Sequence, residues 1–85
     1  MRLEVTFSVP KEDSGQATYI ASQFQLCSHF YQFKRPNDFC AQQVSFKDYA
    51  SVNSFFQIMF DKFGDKFIIE SLINLTATEK NGGGK

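Results

Sequence analysis

The sequence lacks most of the features that point to a particular chemistry. Its 85 residues include no Trp, one His, two Cys and two Pro, and nine basic side chains balance nine acidic ones. One His and two Cys without a CxxC spacing cannot supply the four ligands of a structural zinc site. Zero net charge removes the bulk attraction to phosphate on which non-specific nucleic-acid binding depends. No apolar run approaches the ~20 residues of a membrane-spanning helix, so we expect no membrane association.

The two cysteines bear on the compartment in which the protein works. Met1 and Arg2 lead directly into an alternating pattern and not into the apolar segment of a signal peptide. We therefore expect a cytoplasmic protein with reduced thiols. A disulfide between Cys27 and Cys40 stays open as an alternative if the two face each other across a hairpin.

Phenylalanine is the residue present in excess. The chain has eleven Phe and three Tyr, and its apolar fraction of 42% is typical of a globular protein. Each aromatic side chain can bury roughly 150–250 Å², which suffices for one hydrophobic core without a metal or a disulfide. We interpret residues 1–79 as a single α+β domain and the glycine-rich residues 80–85 as a flexible tail.

The first half of the chain predicts a strand followed by a helix. Residues 2–9 alternate, with Leu3, Val5, Phe7 and Val9 on one face, and Pro10 ends the strand. Ser14 is the expected cap of a helix over residues 14–25, whose apolar face comprises Ala17, Ile20, Ala21 and Phe24. One long strand over residues 17–34 is the alternative. The helix is favoured because Ala, Gln and Ser form strands poorly.

The middle of the chain predicts a hairpin and a second helix. Pro36, Asn37 and Asp38 form a turn signal between an aromatic-rich segment, residues 26–33, and a strand over Phe39–Phe46. Asp48 then caps a helix over residues 48–63, which Gly64 ends. The apolar stripe of this helix consists of Val52, Phe55, Phe56, Met59, Phe60 and Phe63.

Residues 66–77 predict a closing strand. One face carries Phe67, Ile69, Ile73 and Leu75, and Ile68 and Leu72 lie on the other. A helix starting at Asp65 also fits the spacing, but the β-branched residues favour the strand. The aromatic residues that we expect in the core are Phe7, Phe46, Phe56, Phe60, Phe63 and Phe67.

The order of these elements is βαββαβ. It predicts a ferredoxin-like α+β sandwich, in which an antiparallel sheet carries both helices on one face. If the helix over residues 14–25 does not form, the alternative is a β-meander with one helix and a closing strand. Both arrangements leave one sheet face open, and an open face in so small a chain is either solvated or a docking site.

The sequence predicts no enzyme and no cofactor or metal. His29 is the only histidine, and Cys27 lies two positions before it on the same predicted strand face. Such a pair could form a thiolate and imidazolium couple, but a structural role is favoured. The terminal glycines do not form a phosphate-binding loop, because neither a strand nor a helix follows them.

Binding to another protein is the function that these observations favour. Aromatic residues are enriched at interface cores, and this chain has more Phe than one small core needs. The predicted partner-binding residues are Tyr31, Phe33, Lys34, Arg35, Phe39, Ile68 and Leu72. We expect a regulator or inhibitor of the kind that phage and other compact genomes encode, with an unidentified protein partner or a second copy as a homodimer. The alternative is single-stranded nucleic-acid binding through the basic and aromatic hairpin.

Overall fold

A computed structural model describes residues 1–24 and 31–76, and only the backbone of Tyr31. The predictions about Cys27, His29 and the tail over residues 80–85 therefore lie outside the described residues. So do the start of the aromatic-rich segment and any pairing of Cys27 with Cys40.

The described chain forms a small α+β fold with a four-stranded antiparallel sheet and two helices. The strands are β1 (Leu3–Pro10), β2 (Tyr31–Arg35), β3 (Phe39–Phe46) and β4 (Ile68–Asn74), and the helices are α1 (Ser14–Ser22) and α2 (Tyr49–Phe63). Short 3-10 turns over Lys11–Asp13 and Gly64–Lys66 precede α1 and β4. The strand order is β2-β3-β1-β4. The α+β class is confirmed, and the β-meander alternative is wrong because residues 17–22 are helical.

Helix α1 begins differently from the prediction. Asp13 occupies the N-cap position without a side-chain capping bond, and the Ser14 hydroxyl donates to the carbonyl of Lys11 at 2.8 Å. The 3-10 turn has already started the helical path at that point, so Ser14 is not the cap. The predicted apolar face is confirmed, since Ala17 and Ala21 are fully buried.

The turn between β2 and β3 follows from two residues that tolerate a left-handed backbone. Asn37 and Asp38 have φ angles of 64° and 61°, a conformation that Asn and Asp adopt more readily than most other residues do. The Lys11 amide donates to the Asp38 carbonyl at 2.7 Å, which ties the turn to the end of β1. The predicted hairpin is confirmed for the described residues.

Helix α2 has the predicted ends. The Asp48 carboxylate accepts a hydrogen bond from the Ser51 amide at 2.8 Å, which satisfies a donor in the first turn. This bond lowers the pKa of Asp48, because it stabilises the charged form. Gly64 follows Phe63 with a φ of 58°, a backbone conformation that favours glycine.

Both helices pack on one face of the sheet, and Phe55 lies at the centre of this core. Its ring centroid is 5.3 Å from that of Phe7 on β1 and 5.2 Å from that of Phe46 on β3. The other buried members are Leu3, Val5, Val9, Ala17, Ala21, Val44, Val52, Met59 and Phe67. Among the predicted core aromatics, Phe7, Phe46 and Phe67 are buried, and Phe56 and Phe63 are partly buried against the core.

The prediction for Phe60 is wrong. Its side chain is 48% exposed, although its ring lies 4.9 Å from that of Phe67. The apolar stripe of α2 is wider than the strip of helix surface that the sheet covers. Residues in the middle of the stripe are therefore buried, and Phe60 lies at its margin.

A β-bulge in β4 overturns the predicted assignment of its faces. Phe7 pairs with Ile69, but Thr6 pairs with Ser71, so Glu70 is an extra residue. An extra residue reverses the alternation of side chains beyond it. Ile69 and Leu72 consequently lie on the helix side of the sheet, and Ile68, Ser71 and Ile73 lie on the opposite side.

Candidate protein-binding surface

The sheet face opposite the two helices is not covered by any described helix or strand, and we call it the open sheet face, although its Ser8, Ala41 and Ser45 are buried. Strand register places its members on all four strands. They are Phe33 and Arg35 on β2, Phe39, Ala41, Gln43 and Ser45 on β3, Glu4, Thr6 and Ser8 on β1, and Ile68, Ser71 and Ile73 on β4.

The open sheet face is apolar at its margins and polar along its middle. Phe33 on one outer strand is 42% exposed, and Ile68 and Ile73 on the other are each 46% exposed. Between them, the Gln43 amide donates to the Glu4 carboxylate at 3.3 Å. The exposed apolar side chains of this face are therefore divided between the two outer strands.

An ion pair joins the two outer strands across the end of this face. The guanidinium of Arg35 donates to both carboxylate oxygens of Glu70, with Nη2···Oε1 at 3.0 Å and Nε···Oε2 at 3.2 Å. Arg35 also stands over the ring of Phe33, with its Cζ 5.8 Å from the centroid. The hydrogen bond from Arg35, with a further one from Ser8, lowers the pKa of Glu70 below its ordinary value of 4.5. The charge of Arg35 is therefore already engaged within the protein.

A depression of about 360 Å³ lies beside this ion pair. The paired charges of Arg35 and Glu70 line it together with three apolar side chains, those of Pro36, Phe39 and Ile68. It is open to solvent and could receive one apolar side chain of a partner, flanked by charged groups that would accept and donate hydrogen bonds.

Four of the seven predicted partner-binding residues share the open sheet face: Phe33, Arg35, Phe39 and Ile68. Lys34 and Leu72 lie on the helix side, because they pair with Cys40 and Val5, which face the helices. For Lys34, strand alternation alone requires this. For Leu72, the bulge decides it. The backbone of Tyr31 pairs with Gln43, and its side chain lies outside the description.

Sequence reasoning missed Ile73, which belongs to this face, and Glu70, whose carboxylate pairs with Arg35 across the end of the face. Ile73 was assigned to the core because strict alternation from Phe67 places it there, and only the bulge moves it to the opposite side. Glu70 reaches the face because it is the extra residue of that bulge. Nothing in the local sequence indicates that a residue 35 positions away would pair with it.

Cys40 is a free, half-buried thiol, and no group of three or more His, Cys, Asp or Glu within residues 1–24 and 31–76 could hold a metal ion. None of the helices in the described part is both long and apolar enough to cross a membrane. The chain matches no protein-family model, and a search of curated proteins gives no match either.

Proposed function

We propose that this protein is a small, non-enzymatic regulator or inhibitor that binds another protein through the open sheet face. The observation that carries the proposal is the set of exposed apolar side chains on a face without a described cover: Phe33, Ile68 and Ile73. A partner that spans the polar middle of this face could bury the apolar side chains at both of its margins. The cytoplasmic location and the origin in a compact genome stay predictions from the sequence.

We also propose that the architecture is ferredoxin-like. The strand order β2-β3-β1-β4 supports this, because β1 and β2 run parallel with β3 between them, and β3 and β4 run parallel with β1 between them. Helices α1 and α2 connect these pairs, which makes two interleaved split βαβ units. The plan matters for function because it puts both helices on one side and leaves the other side of the sheet free for a partner.

The charges favour a protein partner over a nucleic acid. Phosphate binding depends on cations that are free to replace counterions. Arg35 is already paired with Glu70, and Lys34 lies on the helix side of the sheet. Glu4 adds a negative charge to the middle of the open face. Aromatic residues and Arg are enriched at protein interfaces, in keeping with Phe33, Phe39 and Arg35.

Site-specific photo-crosslinking tests this proposal. The photoreactive amino acid p-benzoylphenylalanine replaces Phe33 in one variant and Tyr19 in the control variant, in cells that naturally make the protein. Tyr19 is an exposed aromatic residue on α1, away from the open face. We expect a discrete protein adduct from position 33 and none from position 19.

Two results would contradict the proposal. The first is an adduct at position 33 whose crosslinked partner is digested by nuclease and not by protease. It would establish the alternative, binding of single-stranded nucleic acid. A fluorescence titration with a labelled oligonucleotide at low salt would then show binding that weakens as salt rises. Equal labelling at positions 33 and 19, or no adduct at either, would mean that the open sheet face is not a binding surface.

A further inference from the structure

Strand β4 is an edge of the sheet whose side chains are apolar on both faces. Ile68 and Ile73 are exposed on the open side, and Ile69 and Leu72 are exposed on the helix side. Edge strands usually carry Lys, Pro or a cover that prevents pairing with another chain. Strand β4 has a bulge at Glu70, but its residues 71–74 include no Lys or Pro, and no other described element covers their outer edge. Such an edge is suited to accept a further strand.

Hydrogen-bond geometry shows which backbone groups of β4 point outward. The Leu75 amide donates to the Arg2 carbonyl at 2.9 Å, so Leu75 faces the β1 side. In an antiparallel ladder, alternate residues bond to the same neighbour. Ser71 and Ile73 therefore direct their backbone groups toward β1, and Leu72 and Asn74 direct theirs toward the open edge.

We propose that two copies of this chain pair antiparallel along β4, with the two-fold axis at Leu72. This pairing rests on the proposed protein-binding function and names a second copy as a partner. Leu72 lies opposite Leu72 of the second copy, and the two exchange a pair of backbone hydrogen bonds. On the open face, Ser71 of one copy then lies opposite Ile73 of the other. The two four-stranded sheets form one continuous sheet of eight strands, in which paired side chains lie on the same face.

The charges and the end of the strand both favour this register. Glu70 is the only charged side chain of β4, it is paired with Arg35 of its own chain, and it lies opposite the neutral Asn74 of the second copy. Like charges therefore do not meet. A register centred on Asn74 would require Thr76 to continue the strand, but the Thr76 amide donates to the Asn74 side chain at 2.9 Å. The chain has turned away from the strand direction by that residue.

Charge substitution at Leu72 tests the pairing and its register together. Leu72→Glu and Leu72→Lys each place like charges opposite each other, and we expect either variant to raise the dimer dissociation constant roughly 100-fold or more. An equimolar mixture of the two variants should restore dimers by sedimentation velocity, because Glu then faces Lys. Ile58→Glu and Ile58→Lys are matched controls, since Ile58 is 41% exposed on α2 and Leu72 is 42% exposed. They should leave the wild-type dissociation constant unchanged.

A cysteine variant provides a second test that does not depend on the folding of the charged variants. With Cys27 and Cys40 replaced by Ser, Leu72→Cys should form an intermolecular disulfide on mild oxidation. Directly paired Cα atoms in such a ladder are ~5.5 Å apart, within the range that a disulfide spans. Ile58→Cys in the same background should form no intermolecular disulfide, although it still pairs along β4.

Several outcomes would overturn the pairing. They are a wild-type protein that stays monomeric up to millimolar concentration, a dimer that tolerates both charges at Leu72, and charged variants that do not recombine. Each is distinguishable from failure of the open-face function. Phe33 lies on β2, at the opposite edge of the sheet from β4, so a photo-adduct at position 33 with a different protein reports the open-face function, and the Leu72 variants report the pairing.

Discussion

Replacing Phe55 should cost much more stability than replacing Phe60, although both belong to the apolar stripe of α2. Phe55 is fully buried, and its ring contacts those of Phe7, Phe24, Phe46, Phe56 and Phe67 at centroid distances of 5.2–6.1 Å. Phe60 is 48% exposed, and its ring contacts those of Phe56 and Phe67. The comparison keeps the residue type and the helix the same and changes only the environment.

The expected magnitudes follow from these environments. Removing a fully buried phenyl ring costs about 3–5 kcal/mol, because the lost transfer free energy is joined by a cavity. Phe55→Ala belongs at the upper end of that range, since its neighbours are bulky rings held by one another. Phe60→Ala removes a half-exposed ring and leaves no enclosed cavity, so its cost is about 1–2 kcal/mol.

A domain of this length has a free energy of unfolding of about 4–13 kcal/mol, so Phe55→Ala could leave little folded protein. Phe55→Leu avoids this difficulty. It keeps most of the apolar volume but loses the ring-to-ring contacts, and we expect a cost of about 1–2 kcal/mol. Phe60→Leu should cost less than about 0.5 kcal/mol, within the range of ordinary surface substitutions.

Guanidinium denaturation followed by far-ultraviolet circular dichroism measures these differences. The slope m should stay the same in all variants, so the shifts in midpoint report stability directly. Equal losses for the two positions would refute the reasoning, because they would mean that Phe60 is as enclosed as Phe55. A larger loss for Phe60 would refute it more strongly.

Two further predictions concern the backbone and the ion pair. Gly64→Ala should destabilise the protein by about 1–3 kcal/mol, because a φ of +58° is strained for any residue with a Cβ, even though that Cβ would meet no atom within 4 Å. Gly15 lies in the first turn of α1, and a Cβ there also meets no atom within 4 Å. Thermal melts should therefore show that Gly15→Ala stabilises the protein by about 0.5–1 kcal/mol. Glu70→Gln should lower the melting temperature slightly at neutral pH and have no effect in acid. The pKa of Glu70 is lowered in the folded state. The stability that its pair with Arg35 contributes is therefore present above pH 4.5 and is lost as the pH falls through the lowered pKa. A difference between Glu70→Gln and wild type that grew toward low pH would contradict this sign.

Local rules of the sequence determined most of the secondary structure. The alternation in β1, the Asp48 cap, the Gly64 end of α2 and the turn at Asn37 and Asp38 each depend on residues within a few positions of one another. Their physical causes, namely strand pleating, a side-chain acceptor for a free amide, and tolerance of positive φ, act without reference to the rest of the fold. These elements could therefore be predicted, and so could the α+β class.

The candidate surface was only partly predictable. Phe33, Arg35 and Phe39 share a face because alternation in a regular hairpin requires it. Ile68 and Leu72 were expected together, and the structure places them on opposite faces, because Glu70 is inserted between them as a bulge. The burial of Phe60 was also misjudged, since periodicity indicates which helix side is apolar and not how much of that side a sheet will cover.

The sequence by itself determined where the strands, helices and turns lie and how many phenylalanine side chains the fold has to bury or expose. Only the tertiary structure decided which of those side chains face water. A strand's register is set by the neighbour with which it pairs, and one extra residue moves every later side chain to the other face. Much of the excess of Phe is thus packed in a cluster of rings around Phe55. Exposed apolar side chains remain on the helices and on the sheet, and those on the sheet lie at Phe33 and along β4, where isoleucine and leucine form the edge that we propose a second copy pairs with.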